Sequence, residues 1–208
     1  VLRLANSAFY RPLSTITGLQ TAVSWVGIRG VRDIAMAASM IKSPIESRAL
    51  VDILRKHMLA TGSCARCIGG RVPRINEEIA FLSGLLKDIG RFLITLAVPE
   101  KYLALCEAAD QVGISASQAE QDWLGFTQAE VGTLLAEEWK FPALVIDVIR
   151  HQNDTVESRT RLAPEKGWYV ATAVLADDIA VRIRHSIPIE PAFLDSHASQ
   201  NALRISSD

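Results

Sequence analysis

The sequence predicts an all-α fold, and three observations carry that prediction. Apolar residues recur at alternating steps of three and four through the main apolar stretches, helix start signals recur along the chain, and no stretch makes a persuasive strand. The central case is Ile79 to Leu96, IAFLSGLLKDIGRFLITL. Its residues Ile79, Leu82, Leu86, Ile89, Leu93 and Leu96 form one helical seam, and Phe81, Leu85 and Phe92 add a second apolar flank. A helix apolar on two sides belongs inside a globule, so one continuous buried helix is expected here. Its only charges are Lys87, Asp88 and Arg91. Helical projection puts Asp88 on a face with Gly84 and Thr95. Gly84 costs about 1 kcal/mol of helix propensity relative to Ala, which implies that a second backbone or a ligand comes close there. An ionised carboxylate facing the interior must be paired, hydrogen-bonded or metal-bound, so Asp88 needs a partner from elsewhere in the chain.

The other elements follow from local signals. Val1 to Ala5 reads as the end of a helix, and with no initiator Met at Val1, further residues upstream are expected. Asn6, Ser7 and Pro12 mark an ordered loop. Thr17 and Gln20 make a capping box for a helix over Gly18 to Val26, and Gly27 ends it. Val31 to Ile41 is a further helix. Ser43, Pro44 and Glu46 open a long helix from Ile45 to about Arg71, which carries His57 beside Ile53, Leu54, Ala60, Thr61 and Cys64. Asn76 caps the central helix, and Pro99 starts the next one, Glu100 to Ala109. Ser115 with Gln118 caps a short helix ending near Trp123. Thr127 with Glu130 caps Gln128 to Trp139, and Pro142 starts Ala143 to His151. Asn153 to Pro164 reads as a linker. Glu165 to Arg184 is the last clear helix, with Asp177 inside its apolar stripe, and Ile187 to Asp208 is a weakly patterned tail.

Composition bounds the function. In 208 residues, 49% hydrophobic, there is enough apolar surface for a sizeable core. The 22 basic residues against 23 acidic ones give a net charge of -1, so no global field draws the chain to nucleic acid or to an anionic membrane. Lys87, Asp88 and Arg91 interrupt the best candidate for a membrane span. Three cysteines, Cys64, Cys67 and Cys106, fit a reducing compartment as small buried apolar residues, and a cytoplasmic location is expected.

Five stretches, VLRLANSAFY, SWVGIRGVRDIAM, AFLSGLLKDIG, FTQAEVGTLLAEEWKFP and VIRHQ, resemble in order and separation the landmarks of the HDOD family. These are bacterial signalling domains related in fold to the HD and HD-GYP phosphohydrolases. The resemblance runs from Val1 to about Ile183. It implies an HDOD-type domain over 1–185, with an N-terminal helical lobe over about 1–42 and an HD-like lobe over about 45–185, followed by a C-terminal tail at 186–208.

Catalytic members of the wider superfamily bind metal through histidines and aspartates on several helices. The resemblance places His57 at the first His, Lys87 and Asp88 at the His-Asp pair, Gln128 at a later His, His151 and Gln152 at a two-His step, and Asp177 at the last Asp. Lys87 brings an ammonium where a lone pair is needed, and Gln128 and Gln152 offer only neutral amide oxygens. The expectation is therefore a remnant pocket with no catalytic residue, no cofactor and no metal. If a metal does bind, His57, Asp88, His151 and Asp177 would hold it.

Each candidate also has a plainer reading. Asp88 can be a buried anion paired with His57, Lys87 or Arg91, and His57 and His151 can be satisfied core histidines. Cys64 and Cys67 lack the second pair that a structural zinc site needs. Arg66, Arg71 and Arg74 suit a solvated helix end as well as a phosphate patch. Trp123, Trp139, Phe141 and Trp168 read as core or lobe-interface aromatics. These readings favour a non-enzymatic regulatory module whose partners are other signalling proteins or appended domains, with a small nucleotide as a compatible ligand. A metal-dependent phosphohydrolase acting on a nucleotide or cyclic dinucleotide ranks second. Nucleic-acid binding through Arg3, Arg11, Arg29 and Arg32 ranks last, and no membrane association is expected.

Overall fold

The computed structural model of the chain describes residue 6, residues 15–25, residues 48–197 and residue 199. Helix Val31 to Ile41, the start signal at Ser43 to Glu46, and Arg3, Arg11, Arg29 and Arg32 lie outside the described residues.

Among the described residues the chain is helical and contains no strand. Helix α1 covers residues 19–25. It is followed by α2 (Arg48–Gly69), α3 (Glu77–Leu86), α4 (Ile89–Ala97), α5 (Pro99–Val112), α6 (Ala116–Leu124), α7 (Gln128–Glu138), α8 (Ala143–His151), α9 (Val156–Arg159), α10 (Pro164–Arg184) and α11 (Pro191–Ser196). The start signals act through the chemistry expected of them. Asn76 Oδ1 accepts from the N–H groups of Glu78 and Ile79 at the head of α3. Ser115 accepts from Gln118 N–H at α6, and Thr127 and Glu130 close a reciprocal capping box at α7. Each bond satisfies a donor that the first turn of a helix cannot pair internally.

Three apolar clusters fill the space between the helices. Ala65, Ala80, Val148 and Val170 join α2, α3, α8 and α10. Ile16, Ala22, Leu82, Ala136 and Ile149 join α1 to α3, α7 and α8. Ile94, Tyr102, Leu105 and Ala119 join α4, α5 and α6. No helix among the described residues is long and apolar enough to cross a membrane.

Several expectations are corrected. The central segment is two helices, because Asp88 leaves helical geometry at φ −96, ψ 18. That change shifts the phase of the seam. Downstream of the break the buried residues are Gly90, Ile94 and Thr95, while Leu93 and Leu96 are only partly covered. The expected linker carries α9, capped by Thr155, and Arg159 ties it back by donating to Gln152 O at 3.0 Å. Part of the expected tail folds onto α10, where Arg182 lies 3.8 Å over the Phe193 ring. Ile53 is 48% exposed and Trp123 58% exposed, so neither is a core residue. Cys67 is also exposed, one turn from half-buried Cys64, with Arg71 Nη1 3.0 Å from its carbonyl oxygen. Arg66 and Arg74 lie over the rings of Phe81 and Trp168, at 4.3 and 5.3 Å, as local cation–π contacts.

Candidate functional site

The site sits where α2, the α3–α4 break and α10 meet. Glycine sets the approach. A Cβ on Gly84 would lie 2.8 Å from Thr61 O and 2.9 Å from Ala65 Cβ, so α3 can rest on the backbone of α2 only without that atom. This is the backbone contact that Gly84 implied. His57, one turn before Thr61, thereby faces the end of α3.

At that end the backbone ladder is interrupted without a loop. Lys87 N–H still donates to Ser83 O at 3.0 Å, and Phe92 N–H donates to Asp88 O at 3.0 Å, so one helix closes as the next begins. Asp88 between them occupies the sparsely populated bridge region, where active-site residues are often found. Gln152, at the end of α8, holds the break from outside. Its Nε2 donates to Lys87 O at 2.7 Å and to Ile149 O at 2.9 Å. A glutamine amide can make both bonds, whereas a histidine binding metal with one nitrogen has a single N–H left. Gln152→Ala leaves these buried carbonyls unsatisfied, and we expect a loss of about 1–3 kcal/mol of stability, read from denaturant midpoints.

Four side chains converge at the break. Lys87 Nζ lies 2.9 Å from Asp88 Oδ2 and 3.1 Å from Asp177 Oδ1. His57 Nε2 lies 2.8 Å from Asp177 Oδ1 and 3.7 Å from Asp88 Oδ2. Lys87 is 6% exposed and Asp88 1% exposed, while Asp177 reaches the surface with 26% of its side chain. Neither oxygen of Asp88 has a well-aligned hydrogen bond, so its contact with Lys87 is an ion pair held by charge and proximity. Burial opposes the charge on Lys87, but Asp88 and Asp177 outweigh it and keep the ammonium above its ordinary pKa. Burial likewise opposes ionisation of Asp177, and Lys87 and His57 override it, holding the carboxyl well below the usual range. The bond to Asp177 assigns the imidazole proton to Nε2, and Nδ1 is buried without a partner.

The network continues through Arg91, one turn into α4. Burial disfavours its charge, and Asp88, Tyr102 and Glu120 more than offset that cost. Glu120, fully buried, accepts from Tyr102 Oη with one oxygen and from Gln128 N–H at 2.7 Å with the other. Tyr102 and Glu120 carry no sequence signal for this role. Glu120 lies in the polar run SQAEQD, where nothing distinguishes a buried carboxylate from a solvated one.

The structure thus brings His57, Lys87, Asp88 and Asp177 together and attaches Gln152 through the Lys87 carbonyl. Gln128 is 1% exposed, and its Oε1 has no partner. His151 does not join them, correcting its place in the four-residue ligand set. It sits half-buried at the end of α8, where Nδ1 turns to Asp154 Oδ2 at 2.9 Å, three residues on. Among the described residues, the potential metal donors that converge are His57, Asp88 and Asp177, with atoms within 4.8 Å of one another. They do not fit a divalent ion as arranged, because the ammonium of Lys87 already contacts both carboxylates and would repel it.

Known proteins share this architecture. The chain superposes on the MmoQ response regulator of Methylococcus capsulatus with a TM-score of 0.76 at 23% identity, covering 99% of this chain and 79% of that one. An HDOD domain protein of Geobacter sulfurreducens gives a TM-score of 0.61 at 23% identity, covering 98% and 70%. An uncharacterized Treponema pallidum protein is 27% identical over 159 residues, or 74% of this chain, and the match spans 30% of that protein's length. The HDOD domain model matches residues 1–155, and the chain belongs to the HDOD family.

Proposed function

We propose that this domain is a non-enzymatic signal-transduction module in which a lysine stands in for the metal of an HD-type site. It works through contacts with other signalling proteins or appended domains. The observation that carries this reading is Lys87 Nζ, within 3.1 Å of both Asp88 and Asp177. A hydrolytic metal centre needs those carboxylates as ligands and an open position for water. Here they neutralise an ammonium instead. Exposed apolar side chains such as Val112 (69%), Trp123 (58%) and Leu134 (68%) supply surface for protein contacts.

Metal analysis of purified wild-type protein and Asp88→Ala tests the reading. We expect no stoichiometric iron, manganese or zinc in either protein. Stoichiometric metal that Asp88→Ala removes, together with nucleotide hydrolysis that His57→Ala abolishes, would establish a phosphohydrolase instead.

A further inference from the structure

Cys64 and Cys67 stand three residues apart near the end of α2, and core packing accounts for only one of them. A cysteine that serves as a small apolar residue is buried. Cys64 meets that description in part, half-buried against the cluster of Ala65, Ala80 and Val170, but Cys67 is exposed. Arg71 distinguishes Cys67 from an ordinary surface thiol. Its Nη1 donates to the Cys67 carbonyl oxygen at 3.0 Å and is in contact with the Cys67 sulfur as well. An accessible sulfur beside a fixed positive charge is a setting in which cysteines react with oxidants. Burial, and then the presence of Cys67, raise the Cys64 thiol above its ordinary pKa, so the inner sulfur keeps its proton while the outer one meets solvent.

Helix geometry puts the two side chains on one face. Residues three apart on an α-helix have Cβ atoms about 5–6 Å from each other and a disulfide requires about 3.5–4.5 Å, so the turn has to tighten by about 1–2 Å. The end of α2 is where it can. Beyond Cys67 the ladder already changes to three-residue steps, with Arg71 N–H donating to Ile68 O at 2.9 Å and Val72 N–H to Gly69 O at 3.2 Å. Drawing that pattern back by one turn eclipses residues 64 and 67. Ala65, between the two cysteines, lies against Gly84, so the tightening acts beside the contact that sets α3 on α2.

We propose that Cys67 is a site of oxidation by hydroperoxides and that Cys64 resolves it, giving a reversible disulfide within the last turn of α2. The Cys67 thiolate attacks one peroxide oxygen, the O–O bond breaks, and hydroxide or alkoxide leaves. The sulfur is oxidised to a sulfenic acid, and the peroxide is reduced to water or an alcohol. The Cys64 sulfur then attacks the Cys67 sulfur, the S–O bond breaks, and the Cys64 proton leaves with the hydroxyl as water. An external thiol returns the pair to its reduced state by exchange. The assignment stands apart from the question of a metal, because the donors that converge at Asp88 include neither cysteine.

The test treats the purified chain with near-equimolar hydrogen peroxide, blocks the remaining thiols with iodoacetamide and maps the labels by peptide mass, with Cys106, half-buried on α5, as the internal comparison. We expect Cys64 and Cys67 to lose their labels together, in a peptide lighter by two hydrogens, while Cys106 keeps its label. Dithiothreitol should restore both thiols. Cys64→Ser should stop at a Cys67 sulfenic acid that dimedone traps, and Cys67→Ser should leave Cys64 labelled at the same dose. Arg71 is exposed, so Arg71→Met should keep the wild-type melting temperature while slowing oxidation of Cys67 at least about fivefold, and unfolding the wild type in urea should slow it likewise. The proposal is overturned if both thiols survive a dose that oxidises Cys106, if Cys67 reacts at the same rate folded and in urea, or if the product is a disulfide between two chains. A sulfenic acid that persists in the wild type overturns the role of Cys64, and an unchanged rate in Arg71→Met overturns that of Arg71.

Discussion

Lys87→Ala should destabilise the fold by about 3–5 kcal/mol, the usual effect of removing one partner from a buried ion pair. Lys140→Ala should cost less than about 0.5 kcal/mol, as surface substitutions do. Lys87 is 6% exposed and its Nζ contacts two carboxylates, whereas Lys140 lies exposed in the turn after α7. The loss comes chiefly from Asp88. At 1% exposure, with neither oxygen well hydrogen-bonded, it cannot exchange the ammonium for water, while Asp177 keeps 26% of its side chain at the surface. Urea midpoints at unchanged slope give the comparison. A double-mutant cycle with Lys87→Met and Asp88→Asn separates charge from packing, because the double variant should lose clearly less than the sum of the two single ones. Equal small shifts for Lys87→Ala and Lys140→Ala would mean that another group neutralises Asp88.

Gly90→Ala should cost about 3 kcal/mol or more, at the upper end of overpacking effects. A Cβ there would lie 1.9 Å from Gln128 O and 2.7 Å from Gly132 N. Both are backbone atoms, so no rotamer change relieves the clash and α4 must move away from α7. Gly113→Ala is the control. That glycine is left-handed at φ 74 with nothing within 4 Å of a new Cβ, so its cost is limited to the backbone term of about 1–2 kcal/mol. A Gly90→Ala protein as stable as Gly113→Ala would show that the crossing of α4 and α7 is looser than its geometry implies.

The caps show what the sequence makes legible. Asn76, Ser115 and Thr127 act on N–H groups two or three residues away, so the signal and its target lie in the same short window. Gly84 is legible for a related reason, since a glycine inside a helical pattern signals a close neighbour. The break at Asp88 is not legible, because the apolar seam runs through it undisturbed. Its cause is tertiary: Gln152 lies 65 residues from the carbonyl it holds, and Asp177 lies 120 residues from His57. His151 shows the opposite failure, where a motif position suggested a shared site and Asp154, three residues away, had already claimed the ring.

The cation at the α3–α4 break is covalently part of the chain, and that removes a concentration from the folding equilibrium. A resident metal ion stabilises a fold by mass action, so its contribution falls as the free ion becomes scarce and vanishes in excess chelator. An ammonium on a lysine cannot be diluted, competed away or stripped. On the reading proposed above, with Lys87 Nζ between Asp88 and Asp177, the melting temperature should be the same with and without excess chelator. On that reading, a change in metal supply would leave this part of the fold unaltered.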